Sequence, residues 1–351
     1  EILEKGGSVA DAAVAIQLTL GLVEPQSSGL GGGMFITYFD SDSKEVLSYE
    51  GREKAPIRIK NNIFLNKNGK PKKFFEAAIG GASVGVPSSL ETLKKIHTDY
   101  GRLKWEETIK PVIELSKNGF IPPNRLLNAL EKDSFLKKNP NSFFNKILLS
   151  PKKKVFNKAY TKTLTTISED YRDFYEGKIA KNILDIVKNS ENSGSLYLDD
   201  LKNYKPKKQN ALCHRLENDY LICGPNLPSS GTICILQTLI LFEDLNRKNN
   251  KRNSKNNFNL KEIMEILDFV YYLRDIYLAD EDFVDVNIKK LLSIDYLRRE
   301  FTSFRLSKKI SSIENYEQIF NSTTHFSLID RYNNILSSTS SIESSFGSRL
   351  F

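Results

Sequence analysis

Asn321-Ser322-Thr323-Thr324-His325-Phe326-Ser327 runs into Leu328-Ile329-Asp330, and a second polar stretch follows at Ser337-Ser338-Thr339-Ser340-Ser341-Ile342-Glu343. The two stretches read as a β-hairpin dense in hydroxyls, the setting of a buried nucleophile with helpers or of an ordinary hairpin with polar faces. Register can be read from the loop. A three-residue loop, Arg331 to Asn333, or a five-residue loop, Asp330 to Asn334, sets Ser341 directly opposite Thr323. Their β-carbons would then lie roughly 4.5–5.5 Å apart. An even-length loop would turn Ser341 to the other face.

Working outward, the chain has 351 residues, 40% of them hydrophobic, enough for one large or two ordinary domains with a sizeable core. No stretch has the eighteen or more consecutive apolar residues of a membrane span. The first residue is Glu1, and Glu1 to Lys5 reads as the end of a helix stopped by Gly6-Gly7, so the sequence is expected to begin inside a domain. The net charge is +8, but five of these charges, Arg247, Lys248, Lys251, Arg252 and Lys255, sit in an Asn-rich low-complexity insertion at 247–259. No aromatic residue interleaves the charges from Arg247 to Asn257, which argues against nucleic-acid binding. Cys213, Cys223 and Cys234 are odd in number and lack a Cys-x-x-Cys pair, so they are expected to be small core residues rather than a disulfide framework or a zinc site. His97 and His214 are isolated, and no metal or cofactor is expected. Asp280, Glu281, Asp282 and Asp285 lack the Gly and terminal Glu of a calcium loop and read as a solvated acidic turn.

Ser8 is placed to cap an apolar helix from Val9 to about Val23. The Gly29-Leu30-Gly31-Gly32-Gly33 loop that follows precedes a strand, Met34 to Phe39. Phosphate-binding loops run from strand to helix, so the glycines are read instead as a site of close backbone approach. A return strand from Val46 to Tyr49 delivers Arg52 between a glycine and a proline-stopped loop. Periodic apolar residues in Leu90–Ile96, Trp105–Leu115 and Ile179–Val187 predict a helical lobe over about 88–190. A second β region at Ala211 to Cys223 and helices at Thr232–Phe242 and Leu260–Tyr277 come next.

In this order the chain resembles the γ-glutamyltranspeptidase family of N-terminal-nucleophile (Ntn) hydrolases. The resemblance rests on Leu3-Glu4-Lys5-Gly6-Gly7-Ser8-Val9-Ala10-Asp11-Ala12-Ala13, Gly29-Leu30-Gly31-Gly32-Gly33, Arg52-Glu53-Lys54-Ala55-Pro56, Phe174-Tyr175-Glu176-Gly177, Pro228-Ser229-Ser230-Gly231 and Thr323-Thr324-His325-Phe326-Ser327. It implies an α+β fold, a four-layer αββα sandwich. Residues 1–322 would form the large-subunit region and 323–351 the start of a small subunit, joined as a heterodimer after autoproteolysis between Ser322 and Thr323. It further implies that Thr323 is the nucleophile, that Ser341 orients it, that Arg52 holds the substrate's α-carboxylate and that Glu343, two residues along the strand, holds its α-ammonium.

The implied reaction is γ-glutamyl transfer or hydrolysis on glutathione or related amides, with an amine or water as acceptor. A periplasmic or extracellular setting follows by the same resemblance. Because the sequence ends at Phe351, soon after Thr323, it is expected to lack much of the small subunit, including the oxyanion hole, and to be inactive as it stands. The rival expectations are an acylase acting on cephalosporin or glutaryl amides and an inactive relative that serves as a binding protein.

Overall fold

The structure is a computed structural model describing residues 1–138, 143–217, 219–250, 260–307 and 321–350, with no side-chain description at 248–250, 307, 321 and 322. Residues 251–259, most of the basic insertion, lie outside the described residues, as does the side chain of Ser322. The strands are β1 (Gly33–Phe39), β2 (Val46–Gly51), β3 (Lys207–Asn210), β4 (Leu212–Arg215), β5 (Leu221–Gly224), β6 (Asn321–Ile329) and β7 (Ile335–Ser344). The principal helices are α1 (Val9–Val23), α2 (Ser89–Tyr100), α3 (Trp105–Asn118), α4 (Asn124–Lys132), α5 (Lys158–Glu169), α6 (Lys178–Asn189), α7 (Gly231–Asn250), α8 (Leu260–Tyr277) and α9 (Ile294–Ser307). The chain divides into two compact units, one of residues 1–45, 49–208 and 318–351 and the other of residues 46–48 and 209–317.

The first unit is built on the antiparallel run β2-β1-β7-β6 of a five-stranded sheet ordered β3-β2-β1-β7-β6. Helix α1 starts where expected because Ser8 and Asp11 form a capping box. The Ser8 hydroxyl accepts from the Asp11 amide at 3.3 Å, and the Asp11 carboxylate accepts from the Ser8 amide at 2.8 Å. The helix is apolar nearly all round because it packs on β6 and β7 on one side and on α2 and α3 on the other. Asp11 also accepts from the amides of Arg102 and Leu103 and lies 3.4 Å from His97 Nε2. Burial pushes the His97 imidazole below its ordinary pKa, so it is neutral at neutral pH and acts as a packed core histidine.

The β6–β7 loop comprises the five residues Asp330 to Asn334, and Thr323 pairs with Ser341 as the odd loop length requires. Asp330 fixes that length. Its carboxylate accepts from the amides of Tyr332 at 2.9 Å and Asn334 at 3.1 Å, and from the Val9 amide at 3.1 Å, where its charge meets the positive end of α1. Asp330→Ala would leave several buried donors unpaired, and it is expected to cost about 2–4 kcal/mol. The loss should appear as a lower midpoint of urea unfolding, with Asp330→Asn losing clearly less. The glycine loop is tight for the anticipated reason: a β-carbon on Gly32 would collide with the Ser341 carbonyl. The Gly32 carbonyl in turn accepts from the amides of Ser88 and Ser89 at the start of α2.

The second unit packs α7, α8 and α9 around Ile233, Leu241, Ile266, Phe269, Val270 and Leu297. Here the cysteine expectation is corrected. Cys213 and Cys223 face each other across the β4–β5 hairpin and form a disulfide, leaving Cys234 free. An antiparallel register that sets two cysteines directly opposite brings their β-carbons within bonding reach, which an odd total count does not reveal. Among the described residues, no helix is long and apolar enough to cross a membrane.

Candidate active site

Strand alternation gives β6 two distinct faces. Thr324 points inward and is buried, where its hydroxyl oxygen accepts from Ser28 Oγ at 3.2 Å, and Ser28 Oγ accepts from Gln17 Nε2 at 3.3 Å. This buried chain anchors β6 to α1 from beneath. Thr323 and His325 occupy the outer face. Thr323 Oγ1 lies 3.2 Å from Ser341 Oγ. The ring of His325 is engaged further along the hairpin, with Nδ1 2.8 Å from Thr339 Oγ1 and Nε2 3.3 Å from both Ser327 and Ser337. The neighbouring histidine is thus occupied with hydroxyls other than that of Thr323.

Beyond Ser341 the hairpin departs from regular alternation. Thr323 pairs with Ser341 but Asn321 pairs with Ser344, so β7 carries one extra residue opposite β6, a β-bulge. Glu343 lies in this bulge at φ 68°, in the left-handed region. Its amide donates to Ser341 Oγ at 3.0 Å, and its carboxylate lies 3.3 Å from Arg52 Nη2. The sequence placed Glu343 on the Ser341 face by simple alternation. It reaches Arg52 through the bulge instead, and Ser341 Oγ lies between the Glu343 amide and the Thr323 hydroxyl.

Arg52 follows directly on β2. Its carbonyl accepts from the Tyr204 hydroxyl at 2.9 Å, and its Nε lies 3.5 Å from the Glu53 carboxylate. Burial raises the Glu53 pKa, with Arg52 pulling the other way. Arg52 and Glu343 both line a cavity of about 580 Å3 whose wall also includes Leu30, Glu53, Val84 and Tyr160. Thr323 and Ser341 are not part of that wall.

Arg125 was not singled out in the sequence. From α4 it reaches the Thr323 carbonyl at 3.5 Å while pairing with Glu24 at 3.0 Å. No spacing rule could have identified it, since the contact joins residues brought together only by the tertiary fold.

Solved structures share this architecture. Over 86% of this chain and 86% of its own, γ-glutamyltranspeptidase from Helicobacter pylori superposes with a TM-score of 0.75 at 30% identity. Cephalosporin acylase from Bacillus halodurans reaches a TM-score of 0.75 over 100% of this chain and 64% of its own; at 18% identity the likeness is one of fold alone. The fold is therefore that of the Ntn hydrolases, of α+β class, and the described residues supply one large sheet with α1 against it. The sequence profile of the family described as Gamma-glutamyltranspeptidase matches residues 1–351, and the chain belongs to that family. A curated relative, the glutathione hydrolase proenzyme of Bacillus subtilis (strain 168), is 31% identical over 99% of this chain. The chain spans 62% of that relative's length.

Proposed function

We propose that the full-length protein is a γ-glutamyltransferase or glutathione hydrolase that cleaves itself between Ser322 and Thr323 into two subunits that remain associated. In the precursor the Thr323 nitrogen is an amide and cannot serve as a base. Attack of the Thr323 hydroxyl on the Ser322 carbonyl transfers the acyl group from nitrogen to oxygen, and water then hydrolyses that ester, leaving Thr323 with a free α-amine. Such an amine, with a pKa of about 7.7–8.0, can take the proton of its own hydroxyl near neutral pH. Ser341 holds that hydroxyl in place. Thr323 Oγ1 then attacks the γ-amide carbonyl of glutathione or a related donor, the amine leaves with a proton, and a γ-glutamyl ester forms. Water or an acceptor amine releases the product and restores Thr323.

The observation that carries this reading is the Arg52–Glu343 pair, linked to the Thr323 hydroxyl through Ser341. A γ-glutamyl group is zwitterionic at its α-carbon. Its carboxylate can take the Arg52 fork and its ammonium the Glu343 carboxylate, so one ion pair is exchanged for two and no charge is left alone. A glutaryl group lacks the ammonium and would strand Glu343, which favours γ-glutamyl donors over the acylase reaction. The Cys213–Cys223 disulfide supports maturation in an oxidising compartment, in keeping with a periplasmic or extracellular protein.

Kinetics with a γ-glutamyl anilide and the matching glutaryl anilide test the reading. The full-length enzyme is expected to prefer the γ-glutamyl donor by about a hundredfold or more in kcat/KM, and Glu343→Gln to shrink that preference. Equal rates on the two donors would point to the acylase, and no turnover of either to an inactive relative.

A further inference from the structure

The segment that follows Ser341 holds an unusual backbone. Glu343, Phe346, Gly347 and Arg349 all have positive φ, at 68°, 61°, 52° and 57°. Three of the four carry a β-carbon, for which this region is sparsely populated, so the surrounding structure must impose the conformation. It does so from three sides. Phe346 is buried against Leu126, Leu130 and Phe144, and its amide donates to the Gln26 carbonyl at 3.2 Å. The Ser348 carbonyl accepts from the Gly80 amide at 2.9 Å.

Arg349, also buried, ties the turn to itself and to Asp133, the residue that follows α4. Its Nε and Nη2 each lie 3.1 Å from Asp133 Oδ2, while Nη1 donates to the Gly347 carbonyl at 2.6 Å and to Ser344 Oγ at 3.3 Å. The other Asp133 oxygen accepts from the amides of Phe135 and Leu136, so the carboxylate is itself held rigidly. Ser344 is the residue immediately after Glu343. The guanidinium therefore joins Ser344, where the bulge ends, to Gly347 in the turn that follows it.

We infer that Arg349, held by Asp133, is a positioning residue for donor binding: it keeps the bulge in the form that aims Glu343 at Arg52. The inference rests on the γ-glutamyl reading above. It predicts a role in affinity for the donor's ammonium and none in the chemistry at Thr323.

The test uses processed full-length enzyme. Glycine adopts φ near 57° freely, so Arg349→Gly removes the guanidinium without adding backbone strain. Arg349→Gly is expected to raise KM for the γ-glutamyl anilide about tenfold, with kcat within about twofold of wild type and processing intact. Glu343→Gln should raise KM as well, and the double variant should be no worse than Glu343→Gln alone, because both changes remove one interaction. An unchanged KM in Arg349→Gly, or effects of the two changes that multiply, would overturn the inference. Should Arg349→Gly fail to accumulate, Asp133→Asn offers the same readout, since it keeps an acceptor for the Phe135 and Leu136 amides and removes the charge facing Arg349. Failure of the γ-glutamyl reading itself would show separately, as wild-type enzyme that turns over the glutaryl anilide as fast as the γ-glutamyl anilide, or turns over neither.

Discussion

Thr323→Ala is expected to leave the full-length precursor as a single chain and to lower γ-glutamyl anilide turnover by about a thousandfold or more. Both losses follow from one hydroxyl. In the proposed mechanism it attacks the Ser322 carbonyl in processing and the γ-amide carbonyl in turnover, and alanine can do neither. The fold should survive, because Thr323 lies on the outer face of β6, its side-chain hydroxyl meets Ser341, and alanine keeps the backbone pairing with Ser341. The inward anchor of the strand is Thr324, bonded to Ser28. Circular dichroism and thermal unfolding close to wild type should accompany the loss, and Thr323→Ser, which retains a hydroxyl and an amine, should recover part of both functions.

The second large effect is expected at Arg52. Arg52→Ala should lower kcat/KM for the γ-glutamyl donor by roughly a hundredfold to a thousandfold, mostly through KM, while processing continues. The guanidinium is about half exposed and pairs with Glu343 at 3.3 Å and Glu53 at 3.5 Å, so its removal leaves two carboxylates facing the cavity. Those carboxylates would repel the α-carboxylate that the proposed mechanism assigns to Arg52. Arg52→Lys should restore little, since an ammonium cannot offer the planar fork that grips a carboxylate through two bonds. Full activity in Arg52→Ala would remove the residue from the donor site.

Local signals made much of this architecture legible. The capped apolar run after Ser8 gave α1 its bounds, and the odd-length loop between Ile329 and Ile335 set Thr323 against Ser341, because pleating allows only one facing partner per position. Of the glycines at 29–33 read as a place of close approach, Gly32 and Gly33 are closely packed, whereas a β-carbon on Gly29 or Gly31 would meet open space. What escaped depends on contacts between distant parts of the chain. Arg125 approaches Thr323 only once α4 has docked. Arg349 was not singled out in the sequence, and its partner Asp133 lies 216 residues earlier. The bulge at Glu343 is a single inserted residue, which a two-residue periodicity does not mark, and non-glycine residues at positive φ carry no sequence signature when tertiary contacts hold them there. The Cys213–Cys223 pair was obscured by counting cysteines rather than following the register of their hairpin.

Those residues serve one arrangement: a hydroxyl on β6, its partner on β7, and a bulge that carries the Glu343 carboxylate to Arg52. In the proposed maturation Thr323 becomes the first residue of a new chain. Amino-terminal sequencing of the smaller fragment from purified full-length protein tests this most directly. The expected sequence begins Thr323-Thr324-His325-Phe326. A protein that stays in one piece, or a fragment that begins at any other residue, would contradict it.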